Sequence, residues 1–370
     1  MASNGKPPFR ADHVGSLLRP AALLAARDKH AQKEISDGQL REIEDAAIGD
    51  AVALQEKIGL QAITDGEYRR TFFHIDFLEK IDGISVTGGI PTRFRGAKQD
   101  VEFAPPKLVV IGKLKRTGGI ATEDFKYLAS LTRRTPKVCI PSPSMVHFRG
   151  GRAGIDQEAY PQMDDFFADL ASVYREEIAE LGALGCTYLQ LDDTNLAYLC
   201  DPELRAGAER IGEDPDALPH TYAKLINDSI VGRPSNMAVY IHLCRGNFRS
   251  AWVAQGGYEP VADALFNELD VDGYFLEYDT ERAGDFSPLR LVPKGKRVVL
   301  GLISTKVPEL ETADDLKRRI EEAGKYMDLD DLSLSPQCGF SSTVHGNDIT
   351  VDDQIAKLEL MMEVAGQVWG

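Results

Sequence analysis

Short apolar runs alternate with helical patterns along this sequence, and this alternation constrains the fold more than any other feature. Strands that alternate with helices pair in parallel through right-handed crossovers. Eight such units predict an α/β fold, a single (β/α)₈ TIM barrel whose active site gathers at the carboxyl ends of the strands. The first predicted strand is a short one within Arg10–Leu18 that runs into a polar loop. The others are Leu60–Thr64, Lys137–Ile140, Thr187–Leu191, Met237–Cys244, Tyr274–Leu276, Val298–Ile303 and Leu332–Pro336.

The rival architecture is a doubly wound open sheet. It would concentrate functional residues near one switch point, whereas here polar or chemically capable residues follow nearly every run, which favours the barrel. Residues 68–116 are Gly-rich and mixed in charge, with alternating segments. They are interpreted as an inserted excursion after the second strand, within one catalytic domain that covers residues 1–370.

Helical spacing of apolar residues predicts the main helices. In the first of them, Leu40, Ile43 and Ala51 are expected on the buried face, and in the third, Phe166 and Leu170. The predicted helices are Asp37–Ile58, Asp124–Thr132, Met163–Leu184, Tyr222–Ile230 and Val351–Val368.

Composition indicates a soluble globular enzyme, with 43% hydrophobic and 27% charged residues. The formal net charge of −16 argues against nucleic acid or an anionic membrane surface as a partner. No apolar run approaches the ~18–20 residues that a bilayer span needs, and the amino terminus has no signal-peptide pattern. The five cysteines are widely spread, which suits a reducing compartment and predicts a cytoplasmic location.

A pair of metal-ligand residue types lies on the fifth predicted strand. His242 and Cys244 are two residues apart, so their side chains point to the same face of a strand. An imidazole and a soft thiolate suit zinc. Taken singly, His242 fits a hydrogen-bonded core histidine and Cys244 a small buried hydrophobe. Glu277 and Cys338 follow two other strands and would complete a tetrahedral zinc site.

These residues resemble the zinc ligands of cobalamin-independent methionine synthase. The resemblance extends along most of the chain and covers the carboxyl-terminal catalytic barrel of the long enzyme, so the chain is similar to the short, single-barrel subgroup. The matching segments are Ala11–Pro20, which contains Val14-Gly15-Ser16, Asp65-Gly66-Glu67-Tyr68-Arg69-Arg70, Gln190-Leu191-Asp192, His242-Leu243-Cys244, Glu277 and Pro336-Gln337-Cys338-Gly339.

The resemblance also implies partners for the amino-acid end of a homocysteine substrate. Glu67 and Asp192 would bind its ammonium group, with Asp192 as a catalytic residue, and Gly15 and Ser16 would hold its carboxylate. Two carboxylates at strand ends can pair with one ammonium group. The alternatives are a surface acid for Glu67 and a helix N-cap for Asp192.

The sequence departs from the family pattern on the side of the methyl donor. The segment that matches the long enzyme's catalytic histidine has Lys306 instead, and an ammonium group does not do an imidazole's proton work near pH 7 unless its pKa falls by several units. Tyr198 stands near the place of a second acidic residue. The identity of the general acid and of the methyl donor therefore stays open.

Three functions are compatible with these residues. The first is a zinc-dependent methyltransferase that makes methionine from homocysteine, with 5-methyltetrahydrofolate or a methylcorrinoid as donor. The second is a zinc-dependent thiol alkyltransferase of the epoxyalkane:coenzyme M transferase type, whose sulfonate thiol would need an arginine in place of Glu67 and Asp192. The third is a binding protein with a structural zinc. The sequence carries no signal for an oligomeric state.

Overall fold

The structure is a computed structural model that describes residues 6–89, 91–96 and 100–370. Its centre is a parallel sheet whose strands follow one another in chain order, β7 to β12, and a separate parallel pair, β1 with β6. The strands are β1 Ala62–Ile63, β2 Asp82–Gly89, β3 Thr92–Phe94, β4 Val101–Phe103, β5 Pro106–Lys115, β6 Thr135–Pro136, β7 Val138–Pro141, β8 Tyr188–Asp193, β9 Ala238–Leu243, β10 Gly273–Glu277, β11 Arg297–Ile303 and β12 Leu332–Pro336.

The order of the strands confirms a mixed α/β fold. From β7 to β12 each strand pairs in parallel with the next one in the chain. Within this described sheet the order does not reverse, as it does at the switch point of a doubly wound sheet. Lys137 alone separates β6 from β7, so the β1–β6 pair continues the sheet beyond β7.

The segment Arg10–Leu18, predicted as a first short strand running into a polar loop, forms an isolated bridge between Ala11 and Leu334. Side chains occupy the main-chain groups that a ladder would use. Lys137 donates to the carbonyl oxygen of His13 at 2.5 Å, and Gln190 donates to that of Val14 at 2.7 Å. The segment is therefore held to its neighbours by side chains.

The predicted helices are present, and the structure adds others. Helix α2 begins in a capping box of Ser36 and Gln39 and ends at Gly59, whose φ of 107° is the left-handed conformation that favours glycine. The helices are α1 Ala21–Ala31, α2 Asp37–Ile58, α3 Ile75–Leu78, α4 Thr122–Leu131, α5 Met163–Ala183, α6 Asn195–Tyr198, α7 Pro202–Arg210, α8 Leu218–Ile230, α9 Ala313–Ala323 and α10 Val351–Trp369. Short 3₁₀ segments are Pro143–Val146, Gly151–Gly154, Glu259–Val261, Glu281–Ala283, Ser287–Leu291 and Leu329–Asp331, and Ala264–Glu268 is a π-helix.

The predicted buried face is confirmed in α5 and only partly in α2. Phe166 and Leu170 are fully buried and Ala51 is buried, but Ile43 is 36% exposed. The buried face of α2 also includes Glu44 and Gln55, which were not predicted. Glu44 pairs with two arginines and Gln55 bonds to Thr64, so polar contacts fix which way the helix faces.

Antiparallel strands lie within the segment 68–116. β2 pairs with β5, and β3 pairs with β4. Residues 90 and 97–99 of this segment, like residues 1–5 of the chain, lie outside the described residues. That the segment is an insertion into a barrel stays a prediction.

Two apolar cores flank the parallel sheet. The larger one joins strands to helices, for example Leu189 and Leu191 with Leu170. A smaller cluster combines side chains from several strands and from the amino-terminal segment: Phe9, Val14, Ala62, Tyr188, Tyr240, Phe275 and Val299. In the part of the chain that the structure describes, no helix combines the length and the apolar character needed to cross a membrane.

Candidate metal and substrate site

Four side chains predicted as metal ligands come together at the carboxyl ends of the strands. One ligand atom from each of His242, Cys244, Glu277 and Cys338 lies within 4.8 Å of the others, and all four residues are buried. The Sγ atoms of Cys244 and Cys338 are 3.3 Å apart, and both cysteines are free thiols. This group, called the metal cluster below, is able to hold one ion.

Strand register explains the convergence. His242 lies on β9 beside Asp192 of β8, and Cys244 directly follows the end of β9. Glu277 is the last residue of β10, and Cys338 comes two residues after β12 ends. Because parallel strands present their carboxyl ends at one edge, residues distant in sequence meet there.

The imidazole of His242 is the clearest sign of a missing partner. Neither of its ring nitrogens has a hydrogen-bond partner among the described residues, although the residue is only 2% exposed. Buried polar atoms in native proteins are almost always hydrogen-bonded, unless they bind something else. A hydrogen bond from Cys244 and the nearby His242 hold the pKa of Cys338 well below its usual range. Nitrogen and thiolate donors of this kind fit zinc.

Glu67 and Asp192 form an acidic pair next to the metal cluster. Carboxylate oxygens of both lie within 4.8 Å of each other and of Cys139 Sγ. Burial raises the pKa of Glu67 to about 8, opposed by Arg70 and reinforced by Asp192. Burial also raises the pKa of Asp192 to about 6, although His242 lowers it. Two buried acids of this kind are poised to accept a cation.

The backbone at Glu67 is held in an uncommon conformation. Its φ is 59°, in the left-handed region that non-glycine residues seldom adopt. Arg19 donates to the carbonyl oxygen of Glu67 at 2.7 Å, and the main-chain N–H of Glu67 donates to Asp65 at 2.9 Å. Such strain persists where surrounding contacts enforce it, and it is common at functional sites. Glu67 is 3% exposed, so it is not the surface acid that was the alternative. That it binds a substrate stays a prediction.

Gly15 lies against the acidic pair, and Ser16 lies against the loop that carries Cys338 of the metal cluster. A Cβ at position 15 would be 2.7 Å from Cys139 Sγ and 3.2 Å from Glu67 Oε1, so only glycine permits this approach. Ser16 Oγ accepts a hydrogen bond from the main-chain N–H of Ser341 at 3.3 Å, and a Cβ at Gly339 would collide with it. Ser16 thereby lies beside the loop that carries Cys338.

A single pocket joins the predicted substrate residues to the metal cluster. Ser16, Glu67 and Asp192 line it together with His242, Cys244 and Cys338. Aromatic rings form much of the remaining wall, which is called the aromatic roof: Phe72, Phe73, Phe94, Phe103 and Phe248. Phe103 stacks on Phe248 with ring centroids 4.2 Å apart. The roof brings residues of β3 and β4 over the ends of the parallel strands.

Lys306 is buried near the metal cluster, 5% exposed. Its Nζ donates to Asn247 Oδ1 at 3.0 Å and to the carbonyl oxygen of Gly246 at 3.3 Å. Both acceptors belong to the loop after β9. Tyr198, also predicted to replace a family residue, lines the same pocket.

Sequence reasoning missed several residues around this site. Cys139 was noted only as one of five cysteines, and the roof residues Phe94 and Phe103 lie in the segment interpreted as an excursion. Arg282 contacts Glu277 and follows it by five residues, a spacing that indicates nothing by itself. Arg69, which lies in one of the segments that match the family, pairs with Glu44 on α2.

Comparisons with known proteins identify the family of this chain. The profile of the family described as "Cobalamin-independent synthase, Catalytic domain" matches residues 9–367. The uncharacterized protein YxjH of Bacillus subtilis is 44% identical over 369 residues, which are 98% of this chain and 96% of YxjH. A methionine synthase of Pyrococcus abyssi is 26% identical over 328 residues, 88% of this chain and 84% of that enzyme.

Among solved structures, one from Listeria monocytogenes has a TM-score of 0.79 and 37% identity, covering 99% of both chains. Its proposed activity is that of a vitamin-B12-independent methionine synthase. These three relatives are matched over 84–99% of their own length. The chain therefore belongs to the cobalamin-independent methionine synthase family.

Proposed function

We propose that this protein is a zinc-dependent methyltransferase that methylates homocysteine to give methionine. The observation that carries the proposal is the pocket in which the metal cluster and the Glu67–Asp192 pair lie side by side. One end suits a thiol and the other suits an ammonium group, which are the two ends of homocysteine. Membership of the family and the name of the Pyrococcus abyssi relative support this assignment.

His242, Cys244, Glu277 and Cys338 would hold the zinc ion. Bound there, zinc would favour the deprotonated form of a substrate thiol near neutral pH, where a free thiol with pKa ~8.5 is only a few per cent ionised. The two cysteine thiolates donate charge to the metal, which makes it a weaker Lewis acid and preserves the nucleophilicity of the guest sulfur. The unpartnered nitrogens of His242 support this role among the described residues.

The other residues would orient the substrate. Glu67 and Asp192 would accept hydrogen bonds from the ammonium group of homocysteine, which would itself lower their raised pKa values. Ser16 and the main chain at Gly15 would hold the carboxylate. The aromatic roof would exclude water from the reacting sulfur, because its rings cover the metal cluster on the side of the pocket.

For the methyl donor we propose 5-methyltetrahydrofolate or a methylcorrinoid. Lys306 occupies the position that resembles the family's histidine, and its ammonium group is held by Asn247. A lysine in this place offers a positive charge to the departing group rather than a proton relay near pH 7. Transfer of an alkyl group from an epoxide to a different thiol is the alternative, which Glu67 and Asp192 disfavour because they suit an amino-acid thiol.

The fold that we propose for this function is a closed eight-stranded barrel with the 68–116 segment as an insertion. The amino-terminal segment bridges to β12, and it also reaches toward β1. Thr64 Oγ1 donates to the carbonyl oxygen of Gly15 at 2.7 Å, and the main-chain N–H of Leu17 donates to Gly66 at 3.1 Å. These bonds would close the ring between the first and second units.

The test is a turnover screen of the zinc-loaded protein. Homocysteine, coenzyme M and glutathione are each combined with methyltetrahydrofolate, methylcobalamin and a small epoxide, and the alkylated thiol is measured. Methionine formed only with zinc is the expected result. Activity with coenzyme M and epoxide would support the alternative. A protein that alkylates no thiol and unfolds when zinc is removed would have a structural site, since such a site contributes folding free energy.

A further inference from the structure

Arg282 contacts the carboxylate of Glu277 within the metal cluster. Its Nη2 atom lies 3.3 Å from Glu277 Oε2, and Oε1 accepts a hydrogen bond from the main-chain N–H of Arg245 at 2.9 Å. The side chain of Glu277 is fully buried and that of Arg282 is 9% exposed. A carboxylate has about four lone-pair sites, so it can bind these donors and a metal ion together.

Arg282 is itself fixed by other partners. Its Nη2 also donates to Asp279 Oδ1 at 2.7 Å, and its Nη1 donates to Thr280 Oγ1 at 2.7 Å. The guanidinium lies over the ring of Trp252, 5.0 Å from the centroid. With three partners besides Glu277, the arginine stays in place when the carboxylate moves.

Trp252, which packs against Arg282, is connected to the aromatic roof. Trp252 and Arg95 exchange two main-chain hydrogen bonds, of 2.6 and 2.9 Å. Arg95 directly follows Phe94, which lines the pocket. The guanidinium that faces Glu277 therefore rests on the same structure that covers the substrate pocket.

Glu277 is the member of the cluster most suited to leave. Thiolates and imidazole bind zinc well, while the carboxylate is the one oxygen donor of the four. A thiol that joins a four-coordinate zinc must displace a ligand or expand the coordination. A displaced Glu277 would be a buried anion, which is strongly unfavourable unless it is paired. Arg282 and the N–H of Arg245 keep it paired.

We propose that Arg282 is a positioning residue that makes Glu277 an exchangeable ligand, by holding its carboxylate when a substrate thiol takes its place on the zinc. The inference rests on the proposed function. In the exchange a zinc–oxygen bond is replaced by a zinc–sulfur bond, and the thiol proton passes to the buffer. Without Arg282, Glu277 would stay on the metal and the thiol would bind less tightly.

The experiment titrates zinc-loaded protein with homocysteine, without a methyl donor, and counts sulfur ligands by zinc-edge X-ray absorption. Four proteins are compared: the wild type, R282M, R282K and the control R290M. Arg290 lies in the next 3₁₀ segment, in an exposed pair with Glu259. We expect all four to keep one zinc. We expect the half-saturating homocysteine concentration to rise about tenfold in R282M, partly recover in R282K and stay unchanged in R290M.

The outcomes separate the two proposals. If the wild type gains no sulfur ligand, the proposed function fails and this inference fails with it. If the wild type and R282M gain sulfur at the same homocysteine concentration, the inference alone is overturned. If R282K binds homocysteine no more tightly than R282M, the weaker binding comes from lost packing rather than from the lost charge. That result would also overturn the inference. If R282M does not fold, R282Q takes its place, since it is neutral but keeps hydrogen-bonding groups. Its homocysteine binding is then compared with that of the wild type and of R282K in the same way.

Discussion

Two groups of buried polar side chains lie along the parallel sheet, and they differ in how completely their hydrogen bonds are made. In the first group, Lys137 donates to Asp12 at 3.2 Å, and Tyr188 donates to the other oxygen of Asp12 at 2.8 Å. In the metal cluster, His242 has no hydrogen-bond partner within the described ranges. Both groups are buried and charged.

This difference in hydrogen bonding indicates which of the two groups binds a ligand. The Lys137–Asp12 pair is complete in the protein alone, and the Lys137 ammonium also lies 4.0 Å from the centroid of the Phe275 ring. Such a group stabilises or specifies the fold. In the metal cluster the ring nitrogens of His242 have no hydrogen-bond partner among the described residues, so the cluster can accept a ligand from outside. The predictions below test whether the first group serves stability and the second serves function.

The largest expected effect is on turnover. Cys338→Ala removes a thiolate from the metal cluster, so we expect loss of bound zinc and at least a ~10³-fold fall in kcat/KM, as for essential active-site groups. Zinc content and thiol methylation are measured together. The control is Cys186→Ala, because Cys186 is also buried but its Sγ contacts only the carbonyl oxygen of Tyr188 among the contacts described. Equal zinc in the two variants would contradict the assignment.

Lys137→Met is expected to lower the free energy of unfolding by about 3–5 kcal/mol, because it leaves Asp12 as a buried charge without its cation. Urea unfolding at pH 7 measures the change. The double variant with Asp12→Asn should recover part of the loss. Zinc content of the folded protein should not change. A stability close to that of the wild type would show that this group does not hold the sheet together.

A pH effect on stability is expected from Glu67. Burial raises the pKa of its carboxyl from 4.5 to about 8 in the folded protein. The folded state then keeps a proton that the unfolded state loses, so stability falls as pH rises from about 4.5 to about 8. The contribution is about 5 kcal/mol. In Glu67→Gln it is absent, and zinc-free wild type and variant should converge at low pH and diverge toward pH 8, with the variant more stable. Parallel curves would contradict the shift.

The smallest effect is on substrate affinity. Glu67→Gln removes one charged acceptor for the substrate ammonium, so we expect KM for homocysteine to rise about tenfold with a smaller change in kcat. A thiol that lacks the amino group, such as 3-mercaptopropionate, serves as the comparison. Its KM should be the same in both proteins. A rise for both thiols would place Glu67 in a general structural role.

Much of the fold was predictable because its signals are local. The spacing of apolar residues predicted α2 as Asp37–Ile58 and the strand that ends at Glu277. Such a pattern depends only on residues that are close together in the chain. The contacts of the segment Arg10–Leu18 were not predictable. Its carbonyl groups bond to Lys137 and Gln190, which are distant in the chain.

The candidate site divides in the same way. The sequence by itself predicted which four residues come together in the metal cluster, because His242 and Cys244 share one strand face and Glu277 and Cys338 follow strands of a predicted parallel sheet. Only the tertiary structure decided that Arg282 faces Glu277, that Gly15 lies against Glu67, and which face of α2 is buried. Those contacts depend on how separate loops and helices pack, and no local pattern in the chain records them.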